Sequence, residues 1–326
     1  MTNLKKIGLT ALAGSLVATS AFAGAMSVSG TAKLSYTGKG GNEDTADQGN
    51  RFGLQKSMSF IGSGELDNGN TITITHVMSG AAARSSSILT YDMGDMGSLT
   101  YHDTSAALGI HKIDDLMPTA DEEIWNGVGG SPVGRVSGPG TGFNYTYSAM
   151  DGVRVDVGYA PESVANGADD GGNSGAGGLK SSSSIALQYT GIEGANIFIG
   201  TGKKAVASVA AVETESDVDT YGIKYAMGPI TVGIQQSEID ATAANSDLEK
   251  TAYGIAFAVN DNLSISYGAS ETEKEGSSTD QELSGYSVGY SMGGITLKAH
   301  SNKGENVANT ANAEYEHTEI AVSFAF

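Results

Sequence analysis

The stretch Thr318-Glu319-Ile320-Ala321-Val322-Ser323-Phe324-Ala325-Phe326 decides the fold of this chain. Ile320, Val322, Phe324 and Phe326 recur at every second position. An extended backbone therefore places all four on one face, with Glu319, Ala321, Ser323 and Ala325 on the other. Nine residues is also about the length a tilted strand needs to cross a bilayer. A two-sided strand ending on an aromatic residue is expected.

The same alternation recurs along the chain. Val28, Gly30, Ala32, Leu34 and Tyr36 share one face, and Ser27, Ser29, Thr31, Lys33 and Ser35 the other. Val153-Val155-Val157-Tyr159, Tyr253-Ile255-Phe257-Val259 and Tyr286-Val288-Tyr290-Met292 repeat the pattern. A period of two signals strands, not helices. Short turns such as Asp151-Gly152, Gly228-Pro229 and Gly293-Gly294 alternate with long polar segments around 37–51, 79–86, 103–140, 161–182, 203–218, 237–250, 271–281 and 301–313. Seven short and eight long connections imply about sixteen strands, an even number that leaves both chain ends on the short-turn side. None of the five prolines falls inside a proposed strand, as ladder hydrogen bonding requires. Tyr36, Tyr91, Tyr101, Tyr159, Tyr189, Tyr225 and Tyr267 gather at strand ends, where a membrane barrel carries its aromatic girdles.

Lys5 and Lys6, the apolar run from Ile7, and Ala21-Phe22-Ala23 read as a signal peptide over residues 1–23, leaving 24–326 as the mature domain. No later segment approaches the roughly 20 apolar residues of a spanning helix. Cysteine is absent, which excludes disulfides, thiolate metal sites and a thiol nucleophile. With 37 acidic against 18 basic residues, nucleic acid is a poor partner. No nucleophile elbow, P-loop or dinucleotide fingerprint stands in a strand–helix context, and the five histidines show no metal spacing, so neither an enzyme nor a bound cofactor is expected. The Asp/Gly turns of 168–178 could take calcium, but a single copy reads better as a surface loop. Glu314 and Glu316 read as rim charges at the level of lipid headgroups.

Alternation alone would also suit a soluble sandwich with its apolar face turned inward. The export signal, the aromatic end and the asymmetry of the connections favour a membrane. In lipid, only helices and closed barrels satisfy the backbone, and a sixteen-strand barrel encloses a channel that side chains cannot fill.

With these features the chain resembles the sixteen-stranded general porins, in style those of alphaproteobacteria. The resemblance implies a homotrimeric transmembrane β-barrel in the outer membrane, with short periplasmic turns and long extracellular loops. It further implies contact with lipid and lipopolysaccharide, passive diffusion of small hydrophilic solutes and ions, and delivery by the barrel assembly machinery. That machinery would read the terminal aromatic, with Phe324 and Phe326 on the closing strand. The competing readings are a substrate-specific channel and a structural or adhesive barrel, and a lumen face rich in Ser, Thr and Gly argues against the latter.

In that family the third long loop folds into the lumen as the constriction, and 103–140 is the third long segment here. It holds Asp114, Asp115, Asp121, Glu122, Glu123 and the sole tryptophan, Trp125. Thr119 with Glu122 has capping-box spacing, and Pro118 and Gly127 would bound a short helix between them. The resemblance implies that the acids face basic residues across the lumen. Alternation puts Lys33, Arg154, Lys224 and Lys298 on the polar face, with Arg51 on the lumen phase just before a strand. Trp125 and Arg135 are expected to pin the loop to the wall. The acidic loop predicts weak cation preference.

Overall fold

The computed structural model describes residues 24, 26–42, 49–80, 83–103, 108–129, 142–161, 181–209 and 212–326. Sixteen strands form among them. They are β1 (Met26–Gly40), β2 (Phe52–Glu65), β3 (Thr71–Ser79), β4 (Ala83–Asp92), β5 (Ser98–His102) and β6 (Gly142–Met150). Then follow β7 (Val153–Ala160), β8 (Ser182–Tyr189), β9 (Ala195–Val209), β10 (Val212–Met227) and β11 (Ile230–Ala241). The last are β12 (Leu248–Asn260), β13 (Leu263–Lys274), β14 (Gln281–Met292), β15 (Ile295–Glu305) and β16 (Tyr315–Ala325). Each strand pairs with its sequence neighbour, and β1 pairs antiparallel with β16 to close the barrel.

Closure keeps one phase throughout. Leu34 lies opposite Val322 and Tyr36 opposite Ile320. At the seam Gly30 and Phe326 exchange both backbone hydrogen bonds, at 2.7 and 3.0 Å.

Which face looks inward follows from burial. Leu54 is 63% exposed and Ile199 56%, whereas Thr220 and Ser182 are essentially inaccessible. Large apolar side chains thus ring the outside and small polar ones line the inside, the reverse of a soluble sandwich. No helix is long and apolar enough to cross a membrane among the described residues.

Several of the long polar segments are strand rather than loop. Residues 203–209 and 212–218 continue β9 and β10, with Lys203 paired to Asp217 at 2.9 Å. Both faces of a strand above the bilayer are polar, so alternation fades there while the hydrogen-bond ladder continues. On the outward face of this collar Asp217 lies opposite Asp240, Glu238 opposite Glu249, Glu249 opposite Glu273, and Glu282 opposite Glu305.

Candidate functional site

Residues 108–129 follow β5 into the barrel and run along its inner wall. The first half is fastened by polar side chains of the wall. Gly109 N–H donates to Asn144 Oδ1 (2.7 Å), and Ile110 N–H to Ser184 Oγ (3.1 Å). Gln235 Nε2 donates to the carbonyl of Ile113 (3.2 Å). Ile110 and Ile113 are fully buried with Ala186, Phe198 and Val218, a small apolar core inside the lumen.

The middle of the loop lies in a trough. Gly233 is in register with Gly254, Gly254 with Gly268, and Gly268 with Gly285, which clears side chains from the inner face of β11–β14. Pro118 occupies that space, and a Cβ at Gly233 or Gly254 would come within 2.8 or 2.9 Å of its Cδ. Ser266 and Ser287 hydroxyls accept from Ala120 N–H at 3.0 and 3.2 Å.

The last part is held by alternate residues of β15 and by β16. Lys298 Nζ lies 3.0 Å from Asp121 Oδ1, and His300 Nδ1 lies 2.9 Å from Asp121 Oδ2. Asn302 Nδ2 donates to the carbonyls of Glu123 and Asn126, each at 3.0 Å. His300 Nε2 meets His317 Nδ1 at 3.1 Å, with the two rings stacked. Gly127, at φ +77°, rests so closely on the His317 ring that a Cβ there would overlap it. Trp125 packs on the cluster of Val128, Leu283, Val307 and Ala313, with Lys250 Nζ 4.4 Å from its ring centroid.

The short helix expected after Pro118 does not form; the loop's helical turn is instead a 3₁₀ turn at Gly109–Lys112. Between 119 and 127 Ala120 N–H goes to Ser266 and Ser287, and the carbonyls of Glu123 and Asn126 accept from Asn302, with an isolated turn bond from Asn126 N–H to the Glu123 carbonyl at 3.0 Å. Thr119 hydroxyl donates to the Glu122 carbonyl (3.0 Å) and accepts from Asp121 N–H (3.3 Å), closing a local turn that no helix continues.

The acidic residues have unequal roles. Asp121 is only 4% exposed and is committed to Lys298 and His300. Burial opposes its ionisation, yet hydrogen bonds from His300 and Lys298 outweigh it and hold the carboxyl below the ordinary range. Asp114 is buried beside His111, 4.0 Å away. Burial pushes Asp115 up to about 7, with help from the charges and hydrogen bonding of Glu123 and against the pull of Lys250. Glu122 keeps 36% of its side chain in solvent, 3.8 Å from Lys33.

Among the bases, Lys33 bridges to Glu319 at 2.5 Å as well as to Glu122. Arg154 makes two hydrogen bonds to the buried Asp156, at 2.7 and 3.2 Å. Lys224 borders the recess beneath Met117 and Thr119, with Asn196 and Glu193. Arg51 does not line the pore. Its guanidinium donates to Tyr36 Oη (3.2 Å) and lies over that outward-facing ring, where a hydrogen bond and a cation–π contact are available together. Arg135, and the candidate calcium segment 168–178, lie outside the described residues. Phe324 and Phe326 face outward at the seam.

The sequence reading did not single out Lys112, His300, Asn302, Asn144 or Gln235, and placed His317 only beside Glu314 and Glu316 above the terminal apolar band. Lys112 lies near Arg154 and Asp156; burial lowers its pKa, Asp156 opposes that, and Arg154 reinforces it. A signal for the β15 set existed, since Lys298, His300 and Asn302 occupy successive lumen-phase positions. His300 and His317 are 17 residues apart but adjacent once the β15–β16 hairpin is folded.

The contacts above run from β6 to β16 and touch β1 only at Lys33. The facing wall presents hydroxyls: Ser29, Thr31, Ser57, Thr73, Thr90 and Thr100. Wide lumen, inserted loop and apolar exterior together define an outer-membrane channel.

The chain belongs to the Gram-negative porin family, whose model matches residues 8–283. No curated protein matches it in sequence. Among solved structures it is similar to an anion-selective porin from Comamonas acidovorans, with TM-score 0.67 and 12% identity over 93% of this chain and 99% of that one. It is similar to a trimer form of OmpT from Vibrio cholerae, with TM-score 0.62 and 12% identity over 93% and 100% of the two chains. A mutant of the Rh. blastica porin gives TM-score 0.63 and 14% identity over 93% and 100%. At such identities these structures show the fold. The protein is thus an integral outer-membrane β-barrel of the porin family, and family and fold point to a channel.

Proposed function

We propose that this porin passes small hydrophilic solutes and ions by passive diffusion, with a weak preference for cations, as a homotrimer. The observation that carries the reading is the seating of 108–129. The loop narrows the lumen against β6–β16 and, among the described residues, faces a wall rich in Ser and Thr hydroxyls. The preference follows from how the charges are spent. Lys298, Arg154 and Lys33 are each paired with a carboxylate, while Glu122 shares Lys33 with Glu319 and stays solvent-accessible. Residual negative charge at the narrowest point favours cations over anions. A trimeric relative and the outward apolar band agree with a trimer set in lipid and lipopolysaccharide. The aromatic seam at Phe326 suits recognition by the assembly machinery, so deleting Phe326 should reduce the assembled fraction more than the conductance of what assembles. The deciding measurement is reversal potential in a KCl gradient across planar bilayers. The wild type should favour K⁺; Glu122→Gln should lower that preference and Lys33→Met raise it, each by about twofold. Anion preference in the wild type would end the selectivity claim, and absence of conductance would end the channel claim.

A further inference from the structure

We infer that the recess beneath the lumen loop, on its short-turn side, is a binding site where zwitterionic solutes of dipeptide size pause in transit. The site presupposes the channel reading and adds a solute class to it.

The recess has a volume of about 600 Å³, within the roughly 300–1,000 Å³ of small-molecule sites. Small side chains create it. Thr231 lies opposite Ala226 on β10 and Ala256 on β12, and at the next lumen position Gly233 lies opposite Gly254. Met117 and Pro118 close it on the loop side: a Cβ on Gly233 would come within 3.1 Å of Met117 Cε and 2.8 Å of Pro118 Cδ. The short connection between β8 and β9 borders the other side.

One part of the lining consists of donors. Asn196 and Lys224 are direct cross-strand partners on β9 and β10. Asn196 Oδ1 is buried, which leaves its amide N–H groups as the end available to the recess. Together with the Lys224 ammonium and the Thr231 hydroxyl they suit a carboxylate. Lys298, Lys33 and Arg154 are each bound to a carboxylate, whereas Lys224 forms no ion pair with any described residue. Its charge is available to a solute.

Glu193 supplies the opposite sign. It stands in the β8–β9 connection, which is closed by Ala195 N–H on the Ile192 carbonyl (2.9 Å) and tied to β10 by Ala226 N–H on the Gly194 carbonyl (2.8 Å). Held there, Glu193 borders the same recess as Lys224 without pairing to it. Opposite charges kept apart around one recess match a solute that carries both. A plain anion would meet Glu193, and a plain cation Lys224. Met117, Pro118, Ile192 and Ala256 add apolar contact for a side chain. A dipeptide thus finds donors for its carboxylate, Glu193 for its ammonium and an apolar surface under the loop. Lys224 is only half-buried and Glu193 is exposed, so each contact is weak and the solute leaves as readily as it enters.

The test is the K⁺ current through single channels in planar bilayers at neutral pH with alanylleucine added. The dipeptide should interrupt the wild-type current in a dose-dependent way, half-maximally in the millimolar range. N-acetylated alanylleucine, which lacks the ammonium, and alanylleucine amide, which lacks the carboxylate, should each need about fivefold more. Lys224→Met should raise the half-blocking concentration of alanylleucine by a similar factor. Ala256→Trp, which fills the recess without changing its charge, should abolish the block. Equal block by all three compounds, block unchanged in Ala256→Trp, or no block of a conducting wild-type channel would overturn the site. A wild type that does not conduct would count against the channel reading instead. Because the three compounds are compared on the wild type, the outcome is decided even where a variant fails to assemble.

Discussion

Pro118 fills the space that Gly254 leaves open: a Cβ on Gly254 would come within 2.9 Å of the proline Cδ and 3.0 Å of its carbonyl oxygen. The loop's position is thus written into the wall as missing side chains. Gly254→Val should unseat Pro118 at a local cost of about 1–3 kcal/mol while leaving the strand ladder intact. The expected result is an assembled, heat-stable barrel with reduced and noisier single-channel conductance. Conductance identical to wild type would show that the trough does not set the loop's height.

Asp115 gives a pH dependence with a definite sign. Burial, reinforced by Glu123 and Asp114, raises its folded pKa from 3.8 to about 7, so the folded state holds the proton where the unfolded state has lost it. Stability therefore falls as pH rises from about 4 to about 7, and the penalty is fully present above that window. Asp115→Asn should raise the thermal unfolding temperature at pH 8 and make no difference below about pH 4. An equal effect at both pH values would assign the change to packing rather than titration.

On the outer collar, Glu249 stands between Glu238 and Glu273, its direct cross-strand partners. Like charges so placed repel. Glu249→Lys would turn two repulsions into two attractions at the loss of one hydrogen bond from Gln236. A net gain of about 0.5–1 kcal/mol is expected, smaller at high salt, read as a higher midpoint in urea unfolding. A lower midpoint would show that the hydrogen bond from Gln236 outweighs the charge pattern.

Much of this barrel was legible in the sequence because membrane strands must alternate. Ile320 to Phe326 against Leu34 and Tyr36 fixed the closing pair, and the proline positions agreed with the strand map. The collar was less legible, since residues such as Asp217 and Lys203 carry no apolar phase although their backbones continue the ladder. Within the loop, composition marked an acidic cluster but could not say that Asp121 is tied to the wall while Glu122 stays in solvent. That distinction depends on Lys298 and His300, about 180 residues away along the chain. The helix expected at Thr119 failed for a related reason: local propensity was outbid by wall hydroxyls and by Asn302. Arg51 shows the limit of phase alone, because a long side chain can leave its assigned face for a nearby tyrosine.

The exposed ring that includes Leu54 and Ile199 has a consequence for how this molecule tolerates change. A soluble protein keeps its oily interior to itself; here the surrounding acyl chains stand in for it. Positions that look like surface on the isolated chain are therefore intolerant of polarity. The thread of Ser, Thr and Gly inside behaves as surface normally does, free to vary wherever the loop does not rest on it. Mutational tolerance in this barrel is turned inside out, and its hospitable ground is the water it encloses.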